Sequence, residues 1–133
     1  MTSLQLVTQY YDCFNRKDWA GMLALLSPQV RHDANQGDSY TGLEHFRQFL
    51  QHMDECYDEA LTDMFVMPHP DGVHVACEFV VNGIYKKTDS DLPPAAGQRY
   101  VLPVGAFLEV HDGQITRVTT YYNLPLWLKL IGQ

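Results

Sequence analysis

The sequence predicts an α+β fold, in which three helices from the N-terminal half pack on a curved, mostly antiparallel sheet around a pocket. Apolar residues recur every three or four positions over much of residues 3–57, which is the period of amphipathic helices. From Ala60 onward the period changes to two, which indicates strands. With one strand near Val30 between the helices, the predicted order is ααβαββββ. Gly83 and Gly105 lie inside strand patterns and suit the bends or bulges that a curved sheet needs.

The first two helices are predicted to form a short hairpin. A helix over residues 3–16 is indicated by apolar side chains at helical spacing, namely Leu4, Val7, Tyr11 and Phe14. Asp18 can cap a second helix. That helix is expected to end by Ser27, because the residue before Pro28 is pushed out of the helical conformation.

A third helix is predicted to begin after Thr41 and to end near residue 57. Thr41 and Glu44 have the spacing of a capping box, in which each side chain bonds the backbone N–H of the other residue. His45 and His52 lie seven positions apart, too far to bind one metal ion together, and are expected on the solvated face. The predicted apolar face comprises Phe46, Phe49, Leu50, Met53 and Tyr57.

The second half of the chain is predicted to contain four strands, over residues 60–67, 73–85, 99–111 and 114–122. Residues 86–98 contain two prolines and are expected to form a long loop. Such a loop is a lid or a partner contact in some compact domains, and a mobile hairpin tip in others. Residues 126–131 form an apolar tail of one or two helical turns.

Composition narrows the class of protein. A chain of 133 residues fits one domain, residues 1–133, with 46% hydrophobic residues for its core. The formal net charge of −7 disfavours binding to nucleic acid or to an anionic membrane surface. The three cysteines have no metal-ligand spacing and indicate a reducing compartment. With no apparent signal peptide or membrane span, we expect a cytoplasmic protein without a cofactor or a metal.

The polar residues of greatest interest are His32, Asp33 and Asn35, which lie within four positions at the end of the first predicted strand. If Val30 faces the core, alternation places His32 on the same side and Asp33 on the opposite side. If the strand ends early, the Asp33 carboxylate can turn into the pocket instead. Both residues also fit a simpler interpretation, in which a polar strand end anchors the following turn.

Three segments resemble the superfamily of ketosteroid isomerases, SnoaL-like polyketide cyclases and nuclear transport factor 2 (NTF2). They are YYDCFNRKDWAGMLALL, VRHDANQGDSYTG and PVGAFLEVHDGQITRVTTYYN. More narrowly, HDANQGDSYTG, LPVGAF and TTYYNL are similar to the ketosteroid isomerase-related subgroup. The resemblance implies an NTF2-like, cystatin-like cone with a pocket for a small apolar molecule. It also implies a homodimer that forms through the sheet face.

The resemblance also implies roles for individual residues. Tyr10 matches the tyrosine that hydrogen-bonds an enolate oxygen, and the catalytic base falls on His32 or Asp33. The second acid of a ketosteroid isomerase falls at or beside Gly105, where this sequence has no carboxylate. Further polar residues near predicted element ends are candidates for substrate binding, namely Asn35, Tyr57, Tyr122 and Asn123.

These observations leave three functions open. The first is a cofactor-independent isomerase, cyclase or dehydratase that acts on an apolar carbonyl compound. The second is a non-catalytic ligand-binding or assembly module, because one fold hosts many functions. The third is an epoxide hydrolase, for which Asp33, Asn35 and Arg117 are the available residues.

Overall fold

The structure is a computed structural model that describes residues 1–35 and 37–132. The α+β class predicted from the sequence is confirmed. The helices are α1 (Ser3–Asn15), α2 (Trp19–Ala24), α3 (Leu43–Cys56) and α4 (Leu124–Ile131). The strands are β1 (Leu26–Asp33), β2 (Ser39–Thr41), β3 (Tyr57–Pro68), β4 (His74–Tyr85), β5 (Gln98–His111) and β6 (Gln114–Tyr122).

The six strands form one open, mixed sheet in the order β2-β1-β6-β5-β4-β3. Only the β1–β6 pair is parallel, and the other pairs are antiparallel. Helix α1 packs on β3 and β4, whereas α3 packs on β1. The helices thus cover one face of the sheet, here called the inner face, and leave the outer face uncovered. The side chains of the inner face and the helices enclose the core.

One strand was not predicted, the short strand β2, which pairs with the end of β1. The predicted apolar tail of one or two helical turns is α4, which begins two residues earlier than expected, at Leu124. Strand β1 also begins earlier than expected, at Leu26, and passes through Pro28. A proline is accommodated there because the β1–β6 register shifts between Leu26 and Arg31, where regular ladder bonds are not required.

The predicted capping box at Thr41 and Glu44 is wrong. Thr41 belongs to β2 and pairs with Arg31, so it is not free to cap a helix. Gly42 takes the N-cap position with φ of 114° and makes no side-chain cap bond. Glu44 instead pairs with Arg47 on the surface of α3. The glycine therefore makes the strand-to-helix turn, because a positive φ costs it little.

The predicted alternation of β3 is wrong beyond Thr62. A register shift between Thr62 and Phe65 breaks the period of two, and Asp63 within it has φ of 53°. Leu61 is therefore buried on the inner face, whereas Phe65 and Met67 are exposed. The expected bulges at Gly83 and Gly105 are absent from the β4–β5 ladder, which pairs without a shift from His74 to Tyr85.

Among the helices of residues 1–35 and 37–132, none has the length and apolar character to cross a membrane.

Candidate functional site

A cavity of about 350 Å³ lies between the inner face of the sheet and helices α1, α3 and α4. Aromatic and aliphatic side chains make up most of its wall, so a bound molecule would be largely shielded from water. The polar or charged side chains among its lining residues are few, and they lie on strands β1, β3 and β6, on helices α1 and α3, and on the loops after β1 and β4. The aromatic wall includes Tyr10, Tyr11, Phe14, Phe46, Phe49, Phe79 and Trp127.

His32 lies on the inner face of β1 and lines the cavity. It is 6% exposed, with its ring centroid 4.8 Å from that of Phe46 and 4.4 Å from that of Phe49. Burial lowers the pKa of the imidazole below its ordinary value of 6.5, because it penalises the charged form, although the Asp33 charge partly opposes this. The ring is thus a neutral base at physiological pH.

Asp33 does not enter the cavity. It pairs with Thr119 of β6 on the outer face, and its carboxylate accepts bonds from Arg31 Nε (2.9 Å), Ser39 Oγ (2.5 Å) and Thr119 Oγ1 (2.6 Å). Burial by itself would raise the pKa of this carboxyl, but the three bonds and the Arg31 charge together lower it to about 2. Of the two alternatives for the catalytic base, the structure therefore brings only His32 to the cavity.

The residues considered for epoxide hydrolysis are not assembled in one place. Arg117 lies on the outer face, where it donates to Glu109 Oε2 (2.6 Å) and to Thr119 Oγ1 (2.9 Å). Asp33 shares that face, whereas Asn35 lines the cavity on the other side of the sheet. Epoxide hydrolysis would need Asp33, Arg117 and Asn35 to surround one water molecule. This geometry therefore does not support that reaction.

Tyr10 lines the cavity from α1, and the neighbouring Tyr11 lies with its ring centroid 5.0 Å away. Both rings are buried, and burial raises the pKa of both hydroxyls. Each hydroxyl therefore keeps its proton and is a donor at physiological pH. No hydrogen bond from either hydroxyl to residues 1–35 or 37–132 is present, so both protons remain available to a ligand.

Asn35 and Tyr122 also line the cavity. Asn35 Oδ1 accepts a bond from the Tyr122 backbone N–H at 3.3 Å. Its amide nitrogen is buried and has no partner within the described residues. A buried amide donor without a partner costs free energy, so a ligand acceptor at this point would be stabilised.

Tyr57 and the loop after β4 form a second polar group of the cavity. The Tyr57 hydroxyl donates to Asp89 Oδ2 (2.6 Å), and His52 Nε2 lies 2.8 Å from Asp89 Oδ1. Burial alone would raise the pKa of Asp89, but the bonds from Tyr57 and His52 lower it. The loop is held against the cavity by Tyr85, whose hydroxyl donates to the Pro93 carbonyl at 2.7 Å. His52 is exposed, as predicted, and it also lines the cavity.

Asn123 does not line the cavity, contrary to the prediction. Its Oδ1 accepts a bond from the Leu126 N–H at 3.1 Å and caps the N-terminus of α4. An exposed Asn immediately before a Leu-Pro sequence is a common helix start. The error arose because the helical tail was predicted to begin at Leu126, whereas α4 begins at Leu124.

Glu59 is a cavity residue that the sequence reading missed. It lies two positions before Leu61 on β3, and its Oε2 accepts a bond from the Tyr100 hydroxyl at 2.5 Å. Burial raises the pKa of this carboxyl, while the Tyr100 bond and the Lys17 charge oppose the shift. The signal for Glu59 was the alternation with Leu61, but the predicted strand began at Ala60 and excluded it.

The position expected for a second acid on β5 carries no carboxylate. Gly105 lies on the outer face, opposite Glu78 of β4 and Tyr121 of β6. The β5 residues in the cavity wall are Leu102 and Val104. The acidic groups of the wall come instead from β3 and from the loop after β4.

One group of side chains has ligand atoms close enough for a metal ion. Atoms of His52, Cys56 and Asp89 all lie within 4.8 Å of one another. Asp89 already accepts bonds from His52 and Tyr57, and burial raises the pKa of Cys56, which favours the thiol over the metal-binding thiolate. The hydrogen bonds explain this arrangement without a metal.

An open sheet with helices over an apolar cavity that holds a few polar groups is an NTF2-like fold. The sequence matches the SnoaL-like domain over residues 7–118. The chain therefore belongs to the SnoaL-like family. No match was found among curated proteins.

Three solved structures, all of candidate polyketide cyclases, are similar to the whole chain. The protein from Xanthomonas campestris pv. campestris is 51% identical, has a TM-score of 0.93, and the match covers 96% of this chain and 94% of that one. The protein from Pseudomonas putida is 48% identical, with a TM-score of 0.97 and 98% of each chain covered. The protein from Silicibacter is 47% identical, with a TM-score of 0.95 and 97% and 94% covered.

Proposed function

We propose that the protein is a cofactor-independent enzyme that moves a proton on a neutral, apolar carbonyl compound, as an isomerase, cyclase or dehydratase does. The observation that carries the proposal is a neutral imidazole, His32, in a mostly apolar wall that also presents the Tyr10 hydroxyl. A base and a hydrogen-bond donor in a dry cavity are sufficient for enolisation. The similarity to candidate polyketide cyclases supports the same class of chemistry.

The reaction begins when His32 takes a proton from the carbon beside the carbonyl group. The C–H electron pair becomes a C=C bond, and negative charge develops on the carbonyl oxygen. Tyr10 donates a hydrogen bond to that oxygen, and the apolar wall strengthens the bond by excluding water. An isomerase then returns the proton to another carbon, a cyclase attacks a second carbonyl with the new nucleophile, and a dehydratase expels a hydroxyl group.

The charge of the cavity defines the class of substrate. Its acidic lining residues are Glu59 and Asp89, and the lining that the structure describes includes no Lys or Arg. A carboxylate or phosphate on a ligand would lie near acidic groups without a compensating cation. We therefore propose that the substrate is uncharged, such as a ketone or an ester.

A proton-exchange experiment tests this function. The enzyme is incubated in deuterium oxide with 2-tetralone, methyl 3-benzoylpropionate and the free 3-benzoylpropionate anion, and mass spectrometry follows deuterium at the carbon beside the ketone. We expect exchange above the buffer rate for the two neutral ketones and not for the anion. If neither neutral ketone exchanges above the buffer rate, the proposed function is wrong. A ketone that binds without exchange would support the ligand-binding alternative instead.

We also propose that the enzyme works as a homodimer that forms through the outer face of the sheet, as the family resemblance implies. Large apolar side chains on that face are exposed, namely Phe65, Met67, Val101, Phe107 and Tyr121. Phe65 and Tyr121 lie in one row of the sheet, Met67 and Phe107 lie in the adjacent row, and Val101 lies further along β5. Exposed apolar side chains grouped in this way are typical of a protein interface.

We expect Phe107→Glu to convert the dimer to a monomer, because it places a charge in the proposed interface. Leu4→Glu is the matched control, because Leu4 is 43% exposed on α1 and Phe107 is 44% exposed. Sedimentation equilibrium measures the mass of each variant. A monomeric wild-type protein, or an equal loss of dimer in both variants, would contradict the proposal.

The buried free cysteines Cys13, Cys56 and Cys77 support a reducing compartment, and we propose that the protein lies in the cytoplasm.

A further inference from the structure

A carboxyl group is held in the cavity wall by an arrangement that spans three strands. Glu59 on β3 pairs with Gly83 on β4, and Gly83 pairs with Tyr100 on β5. The three residues thus form one row across the inner face. The Tyr100 hydroxyl crosses the position of the glycine and donates to Glu59 Oε2 at 2.5 Å.

Gly83 allows the Tyr100 hydroxyl to bond Glu59, because it has no side chain in the space between them. A Cβ atom at Gly83 would overlap the Cζ and Cε2 atoms of Tyr100 and lie 2.5 Å from its hydroxyl oxygen. No positive φ explains this glycine, because its backbone is ordinary strand. The missing side chain is therefore explained by the tyrosine ring that occupies its place, and the ring in turn reaches the carboxyl group.

The second oxygen of Glu59 remains available. Oε2 accepts the Tyr100 bond, whereas Oε1 has no hydrogen bond from any residue that the structure describes. Oε1 is not enclosed by protein atoms, and Glu59 lines the cavity. A carboxyl group with one oxygen held and the other open is suited to bind a ligand.

We propose that Glu59 is the proton-donating carboxyl group of the cavity, that it acts on the carbonyl oxygen of the substrate, and that Tyr100 positions it. This inference rests on the proposed function. Glu59 supplies from β3 the acid that the ketosteroid isomerase pattern has at the level of Gly105. Its carboxyl group and the Tyr10 hydroxyl are the two donors to the substrate oxygen.

The proton transfers balance. His32 takes the proton from carbon while Glu59 gives its own proton to the carbonyl oxygen. The products of this step are a neutral enol, an imidazolium at His32 and a carboxylate at Glu59. In the return step Glu59 takes back the enol proton and His32 delivers its proton to a carbon atom, so the protein ends in its starting state.

The groups that face Glu59 set its protonation. Burial raises the pKa of the carboxyl group, and the neighbouring Asp58 charge raises it further. Tyr100 from β5 and Lys17 from the turn after α1 lower it. Tyr122 from β6 also faces Glu59, and its neutral hydroxyl adds no charge. The net shift is upward, which keeps the carboxyl group protonated to a higher pH than a surface glutamate.

The probe for this role is 2-naphthol, whose hydroxyl on a flat apolar ring imitates an enol. Its affinity for the wild-type protein, Glu59→Gln, Tyr100→Phe and the outer-face control Glu78→Gln is measured by fluorescence titration from pH 4 to 8. We expect wild-type affinity to change at a midpoint above 4.5, the ordinary pKa of glutamic acid. The part of the change that is due to Glu59 should disappear in Glu59→Gln and move to higher pH in Tyr100→Phe, which loses a bond that lowers the pKa. Glu78→Gln should behave as the wild type does.

The same variants in the deuterium-exchange experiment separate this inference from the proposed function. We expect Glu59→Gln to lower the exchange rate by about 10²–10³-fold, the usual effect of one lost donor. If the wild type exchanges and Glu59→Gln exchanges at the same rate, the role of Glu59 is overturned and the proposed function stands. No exchange in the wild type overturns the proposed function. An affinity for 2-naphthol that is independent of pH, or no binding at all, overturns the inference by itself.

Discussion

Replacing His32 with Gln is expected to lower kcat/KM for an accepted ketone by about 10²–10⁴-fold, because the change removes the general base. Gln is close to His in size and fits between Phe46 and Phe49, so the cavity keeps its shape. The measurement is the initial rate of deuterium exchange over a range of pH. A His32→Gln variant with wild-type rates would show that another group is the base.

The pH profile gives a second check on His32. Its pKa lies below 6.5, so the loss of rate that protonation of this base causes should begin only below about pH 6.5. The lowered pKa of His32 also makes the stability depend on pH. At pH values between the folded pKa and 6.5, the unfolded chain binds more protons at His32 than the folded protein does. Stability therefore falls as the pH drops through that window, and this loss should be absent in His32→Gln.

Asp33→Asn is the matched control for His32, because Asp33 is the next residue and lies on the opposite face. We expect its exchange rate to match that of the wild type. Its stability should fall by about 2 kcal/mol at neutral pH, as expected for a carboxyl whose pKa is about 2 in place of 3.8. Because the folded pKa is the lower one, this contribution is present above about pH 4 and disappears as the pH falls toward 2. Urea unfolding at several pH values measures it.

Gly83→Ala is expected to destabilise the protein by about 1–3 kcal/mol, the usual cost of overpacking a core. The new methyl group would occupy the place of the Tyr100 ring, which is 3% exposed and cannot move outward freely. Displacing this ring also breaks the bond to Glu59, so the pH dependence of 2-naphthol binding should shift as it does in Tyr100→Phe. Urea unfolding and fluorescence titration measure the two effects.

Gly105→Ala is the matched control on the adjacent strand. The nearest atom to a Cβ there is the Cys77 carbonyl oxygen at 3.9 Å, which is ordinary contact, and the backbone is again strand. We expect this variant to be neutral or more stable by up to about 1 kcal/mol, because Ala restricts the unfolded chain more than Gly does. Equal stability losses in both variants would show that Gly83 has no special packing role.

Local sequence patterns predicted the main elements because those elements follow local rules. Asp18 caps α2 as expected, since its side chain and the Gly21 N–H are three residues apart in any helix start. One of the two predicted arrangements followed from alternation beginning at Val30, with His32 on the core side and Asp33 on the opposite side. The structure has this arrangement. Strand pairing extends through Asp33, so the carboxylate stays on the outer face.

The errors came from contacts between residues distant in sequence. Tyr57 was predicted to end the third helix, but it begins β3 because it pairs with Tyr85, 28 positions later. Because β3 begins at Tyr57 and not at Ala60, Glu59 lies in the sheet and lines the cavity. The capping box at Thr41 failed for the same reason, because pairing with Arg31 withdrew the threonine into β2.

By itself, the sequence determined the α+β class and the apolar faces of the main elements, and it limited His32 and Asp33 to two arrangements, because period and propensity act over a few residues. Only the tertiary structure decided which polar groups share the cavity. Glu59, Gly83 and Tyr100 lie on three different strands, and their row exists only once the β3–β4–β5 register is formed. Register depends on the packing of whole strands, so no local pattern predicts a hydrogen bond across two of them.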